Sequence, residues 1–145
     1  GAWRLSADVA THRFVDVRNS GFVEVGGSAA FTLGPAMLDA FARFAPAQDA
    51  IGGQTLYIGT GVQAGIPGTP LSLSAHVGRS TGTNRGDDLA RFRLRPQARY
   101  HDWSVGLDYV GRDWSAGLRY TDTDIARALD NRADPALVAR VALFL

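Results

Sequence analysis

Ser74 and His76 put a hydroxyl and an imidazole on the same side of an extended chain. Nucleophilic hydrolysis starts from such a pair: the base lies within hydrogen-bond reach of the nucleophile, and an acid orients the base. Asp108 would be that acid if its strand aligned with the strand of His76. Any residues at i and i+2 share a side of a strand, however. A histidine lining a polar interior outweighs a catalytic one here, so the chain is expected not to be an enzyme. His12 and His101 lie elsewhere in the sequence, and cysteine is absent. Three scattered histidines make no metal motif, and no cofactor is expected.

A larger constellation is built from opposite charges. Arg4, Asp8, Glu24, Asp39, Arg43, Asp108, Arg119 and Arg140 occupy the polar phase of alternating segments, together with His76. Enclosed, such groups must pair, because an unpartnered buried charge is very costly. All basic residues are arginine, whose planar fork grips a carboxylate with two hydrogen bonds. Base composition of the genome is the plainer explanation of that bias. With 15 basic and 14 acidic residues the net charge is +1, and nothing in the balance calls for nucleic acid. A basic stretch, RGDDLARFRLRPQARY, carries Arg85, Arg91, Arg93, Arg95 and Arg99. It suits lipopolysaccharide phosphates, or a protein partner recruited through the 79–101 loop, although solvated loop charge is the ordinary state of such residues. Gly26-Gly27 and the row Gly59, Gly61, Gly65 are no phosphate cradle, since no helix follows; they leave room for neighbouring side chains.

The elements that would hold these charges are strands. From Trp103 one side reads Trp103, Val105, Leu107, Tyr109 against Ser104, Gly106, Asp108; after Gly111-Arg112-Asp113 it reads Trp114, Ala116, Leu118, Tyr120 against Ser115, Gly117, Arg119. The same period of two recurs at Trp3–Val9, Val23–Leu33, Leu38–Phe44, Leu56–Ile66, Leu71–Val77 and Leu137–Leu145, about eight segments in all. Tight turns at Gly34-Pro35, Pro67-Gly68 and Gly111-Arg112-Asp113 are expected to alternate strictly with longer connections. The longer ones are His12 to Gly21, the stretch through Pro46 and Gly53, Arg79 to about His101, and Thr121 to Pro135. Trp3, Phe31, Tyr109 and Trp114 then fall at the short-turn ends; Phe44, Tyr100, Trp103 and Tyr120 fall at the long-loop ends. Two aromatic belts flanking aliphatic centres are how strands that cross a bilayer look. The predicted fold is a single-domain, all-β, transmembrane antiparallel up-and-down β-barrel of about eight strands.

Four stretches are ambiguous. LDAFARFA also satisfies helical spacing, and so does the C-terminal stretch after Asp134-Pro135; strands are expected for both. Ile125 to Ala133 suits a short helical turn as well as coil, and Leu89 to Arg95 alternates as a strand extension would. No apolar run is long enough for a transmembrane helix. The opening Gly-Ala-Trp-Arg-Leu lies inside the first predicted strand, so a processed or trimmed N-terminus is expected.

The segments LYIGTGVQAGIP, LSLSAHVGRSTG and YHDWSVGLDYVGRDWSAGLRYTDTDI resemble the TorF family of proteobacterial outer-membrane porins. The likeness rests on Ser74 to Gly78, Tyr100 to Gly106 and Tyr120 to Asp124, and extends from about Phe22 onward, with FTLGPAMLDAFARFAP as the family's glycine-proline turn and strand. Family members are usually longer and commonly end in an aromatic residue, whereas this sequence ends Phe144-Leu145. The resemblance implies a bacterial outer-membrane location, membrane lipids as surroundings and a porin-like role. With about eight strands the interior is only wide enough for side chains to fill it. A charge-plugged lumen with limited small-solute passage or a structural envelope role is therefore expected. A barrel-anchored scaffold that recruits a partner through its loops is the alternative, and a lipid-modifying barrel enzyme ranks below both.

Overall fold

A computed structural model describes residues 1–13, 21–83, 97–126 and 133–144. It contains eight strands: β1 (Ala2–His12), β2 (Phe22–Leu33), β3 (Ala36–Gln48), β4 (Gly53–Gly65), β5 (Leu71–Gly82), β6 (Arg99–Val110), β7 (Trp114–Thr123) and β8 (Ala136–Leu143). They form one sheet in the order β1-β2-β3-β4-β5-β6-β7-β8, every neighbouring pair antiparallel. The all-β, up-and-down architecture read from the period of two is therefore present. Closure is not: among the described residues no ladder joins β1 to β8, and the sheet keeps two open edges.

LDAFARFA lies within β3 and the C-terminal segment forms β8, so the alternation prevails over helical spacing in both. Phe41 and Ala42 would share a helical face, but as strand residues they point to opposite sides of the sheet. The tight turns fall where glycine permits them: Gly34 (φ 57°) and Gly68 (φ 75°) adopt left-handed backbone that other residues resist. The strict alternation of connection lengths does not hold. β3 and β4 run on past the expected loop, through a bulge between Ala45 and Gln48, and meet across a single 3-10 turn at Asp49–Ile51. The expected strand extension at Leu89 to Arg95 and most of the Ile125 to Ala133 turn lie outside the described residues, as do Arg85, Arg91, Arg93, Arg95 and Leu145.

Among the described residues a conventional core is missing. The buried hydrophobic residues are Ala45, Ala50 and Ile51, gathered at the β3–β4 turn. Large apolar side chains lie open along every strand, among them Leu5 at 75%, Ile58 at 54%, Leu73 at 52% and Leu118 at 48% exposure.

Candidate functional site

Register settles which residues share a face, because partners in adjacent strands point the same way. One face carries Arg4, Asp8, Glu24, Asp39, Arg43, His76, Asp108, Arg119 and Arg140, all nine residues of the anticipated charge network. The opposite face carries Trp3, Phe31, Phe44, Trp103, Tyr109, Trp114 and Tyr120 with the aliphatic rows between them. Tyr100 is the exception. It pairs with Ser80 and shares the polar face with Asp102 and Ser104, so it leaves the aromatic belt. An odd offset of three residues from Trp103 turns its ring to the other side.

Charges on the polar face meet in separate groups. Arg43 Nη1 donates to Asp8 Oδ2 at 2.9 Å and to Glu24 Oε1 at 3.1 Å, bridging three strands with one guanidinium. His12 Nε2 comes within 3.2 Å of the same Glu24 oxygen, but at an angle that makes no hydrogen bond, and its ring stacks on Phe22 at 4.4 Å. Arg140 Nη2 reaches Asp108 Oδ1 at 3.5 Å, a long contact that leaves most of the Arg140 side chain exposed. The side chains of Arg4, Asp39 and Arg119 form no ion pair with another described residue, so the expected single interlocked network is instead a set of local clusters.

The best-formed cluster centres on Tyr57. Its hydroxyl lies 2.9 and 3.0 Å from the two Asp102 carboxylate oxygens and 3.0 Å from His76 Nε2. Because the phenol has one proton, a proton on His76 Nε2 satisfies all three groups: the imidazole donates to Tyr57 and Tyr57 donates to Asp102. Phe41 stacks on His76 at 5.8 Å and tilts against Tyr57 at 5.6 Å. Glycines make the space. A Cβ at Gly59 would come within 2.7 Å of Phe41 and 2.8 Å of His76, and one at Gly78 would collide with the Tyr57 hydroxyl. Carboxylates lie over Gly26, Gly61 and Gly117 in the same manner. The cluster stands between two concavities. Tyr57, Tyr100 and Asp102 line one of about 420 Å³ toward the long-loop end; His76, Asp39, Ser104 and Arg119 line another of about 280 Å³.

Asp108 is not the partner of His76. Register sets it opposite Ser72, whereas His76 lies opposite Ser104, and the acid near the imidazole is Asp102 at 3.5 Å. Tyr57 and Asp102 were absent from the charge network expected from sequence. Asp102 nonetheless shares the phase of Ser104 and Asp108, and the glycines at 59 and 78 mark where a large ring sits.

The opposite face is apolar over nearly its whole extent. Among the described residues, all the large exposed hydrophobic side chains except Val110, Val138 and Phe144 belong to it or its continuation. Its described ionisable side chains within strands, apart from the phenols, are Arg79, Arg99, His101 and Asp122, all at the long-loop end beyond or beside Trp103. Aromatic pairs mark both ends: Trp3 with Phe31 at 4.9 Å and Tyr109 with Trp114 at 4.7 Å at the short-turn end, Trp103 with Tyr120 at 5.2 Å at the other. Just past β7, Asp124 accepts from the His101 backbone N–H at 2.6 Å and contacts His101 Nδ1 at 2.8 Å. That side-chain hydrogen bond holds the Asp124 carboxyl below its ordinary range.

Residues 6–144 match the family described as "Bacterial protein of unknown function (Gcw_chp)", and the chain belongs to that family. No curated protein matches the chain.

Proposed function

Proceeding from membership of that bacterial family, we propose that the chain is an outer-membrane β-barrel with a porin-like role, restricting passage to small solutes. The observation that carries this reading is the apolar face of eight strands, charged only at its long-loop end and exposed while the other polar side chains cluster on the opposite face. In water each open Leu, Val or Phe forgoes roughly 1.5–3 kcal/mol of burial. Among the described residues no second layer packs on the sheet to recover it. Hydrocarbon recovers it directly, and the aromatic pairs at both ends suit the two interfaces. A patch this large on a soluble monomer would be an aggregation hazard.

In a bilayer the unpaired edges of β1 and β8 cannot remain open, because no water is present to satisfy their backbone groups. Closing the sheet on itself turns the polar face inward. The clusters of Arg43 and Tyr57 then occupy the interior, and Tyr57, His76, Asp102 and Phe41 form its constriction between an outer vestibule and an inner chamber.

Conductance across planar bilayers tests the reading. Purified protein should need detergent, insert, and carry small ions at low conductance; Tyr57→Ala, which removes the ring and hydroxyl from the constriction, should raise that conductance several-fold. A detergent-inserted protein silent in both forms would overturn the passage, and a chain monomeric in buffer without detergent would overturn the membrane location.

A further inference from the structure

We infer that β1 and β8 are each other's missing partners, joined with Asp8 opposite Arg140. The inference rests on the barrel reading above and specifies its seam. Starting at Arg4 and stepping through register partners, the row runs by way of Asp39 and His76 to Ala136, the first residue of β8. Arg4 is near the short-turn end of β1, whereas Ala136 stands at the long-loop end of the sheet. A row that climbs in this way must return to β1 displaced along it, and by an even number of residues so that the faces match. The two edges have the required direction, since an even number of antiparallel strands leaves β1 and β8 antiparallel to each other.

Charge selects the displacement. Moving from residue 4 to residue 12 sets Ala136 opposite His12, the last residue of β1, and brings Arg140 directly opposite Asp8. A stagger two residues shorter faces Arg140 with Ser6, and one two residues longer faces it with Ala10. Arg140 and Asp8 each have capacity left. The Arg140 side chain is 71% exposed with one contact at the 3.5 Å limit, and the Asp8 side chain is 46% exposed with one bond from Arg43. Joined, they link two separate clusters into one line of alternating sign: Glu24, Arg43, Asp8, Arg140, Asp108. Opposite charges directly across an antiparallel pair stabilise it, and like charges would not.

Cysteine is absent from the chain, so paired substitutions read the seam without background. Detergent-folded Asp8→Cys/Arg140→Cys, oxidised with diamide, should form an intramolecular disulfide, seen as a thiol-reversible mobility shift of the monomer. The hairpin pair Ser6→Cys/Ser28→Cys, whose hydroxyls lie 2.7 Å apart, is the positive control for folding and oxidation. Preferential closure of Ser6→Cys/Arg140→Cys or Ala10→Cys/Arg140→Cys, disulfide-linked dimers alone, or no seam bond while the hairpin control closes, would each overturn the inference. Charge gives an independent readout: Asp8→Asn and Arg140→Gln together should lower the unfolding midpoint less than the sum of the single effects, and additivity would count against the pairing. A soluble chain that still closed the 8–140 disulfide would sink the membrane reading and keep the seam.

Discussion

Leu107→Arg separates a lipid-facing sheet from a water-facing one. Leu107 sits on the apolar face of β6, paired with Leu73 and Leu118, and is 43% exposed. It lies two residues from Tyr109 and four from Trp103, between the two aromatic ends. At a rise of about 3.4 Å per residue and a tilt near 40°, that is roughly 5 Å in depth from one belt and 10 Å from the other. An arginine placed between the interfaces of a barrel costs about 2–4 kcal/mol at the midplane and less toward the edge, so about 2 kcal/mol is expected here. That corresponds to roughly a 30-fold loss in the folding equilibrium. A surface substitution facing water stays within about 0.5 kcal/mol. Folding into lipid vesicles, followed by heat-modifiable gel mobility across a urea series, reads the difference. Ser104→Ala, on the polar face opposite His76, serves as the companion and should fold like the parent. Equal tolerance of the two changes would refute the assignment of faces.

Gly78→Ala should displace the Tyr57 ring and break its bonds to Asp102 and His76, costing roughly 1–3 kcal/mol in unfolding free energy; an unchanged urea midpoint would show that the ring has another seat. The Asp124 carboxyl, held below its ordinary range by His101, contributes stability that is complete above the unfolded carboxylate value near ~3.9 and is lost as the pH falls through the lower folded value. Asp124→Asn should therefore flatten the acid limb of the unfolding midpoint below about pH 4 and alter it less in shape above that; identical acid limbs in both proteins would contradict the contact. Arg43→Gln should destabilise the protein more than Arg119→Gln, because Arg43 holds two carboxylates and Arg119 forms no ion pair with a described residue; equal thermal midpoints of the two variants would show the pairing to be idle.

Much of the fold was legible because the chain obeys a period of two from end to end. Trp103, Val105 and Leu107 against Ser104, Gly106 and Asp108 fixed both the strand and its faces. Where that pattern competed with helical spacing, as at Leu38 to Ala45, the strand neighbours decided. Tyr100 leaves the belt although it lies near a loop end, because its parity, legible in the same period, sets it with Asp102 and Ser104. Which charges meet was not legible. Asp8 and Arg43 are 35 residues apart and come together only through two hairpin registers, and Tyr57 reaches Asp102 across β5 over a glycine. Those registers depend on turn geometry and bulges such as the one at Ala45, which extended β3 and β4 beyond the loop that Pro46 and Gly53 suggested.

Depth-resolved quenching of tryptophan fluorescence by brominated lipids reads whether the apolar face meets hydrocarbon. The three tryptophans, Trp3, Trp103 and Trp114, all lie on the apolar face near its ends. A lipid-facing sheet gives strong quenching by bromines placed near the interface, weaker quenching by bromines at the bilayer centre, and little effect of aqueous iodide. Tryptophans untouched by either lipid probe and fully open to iodide would contradict it.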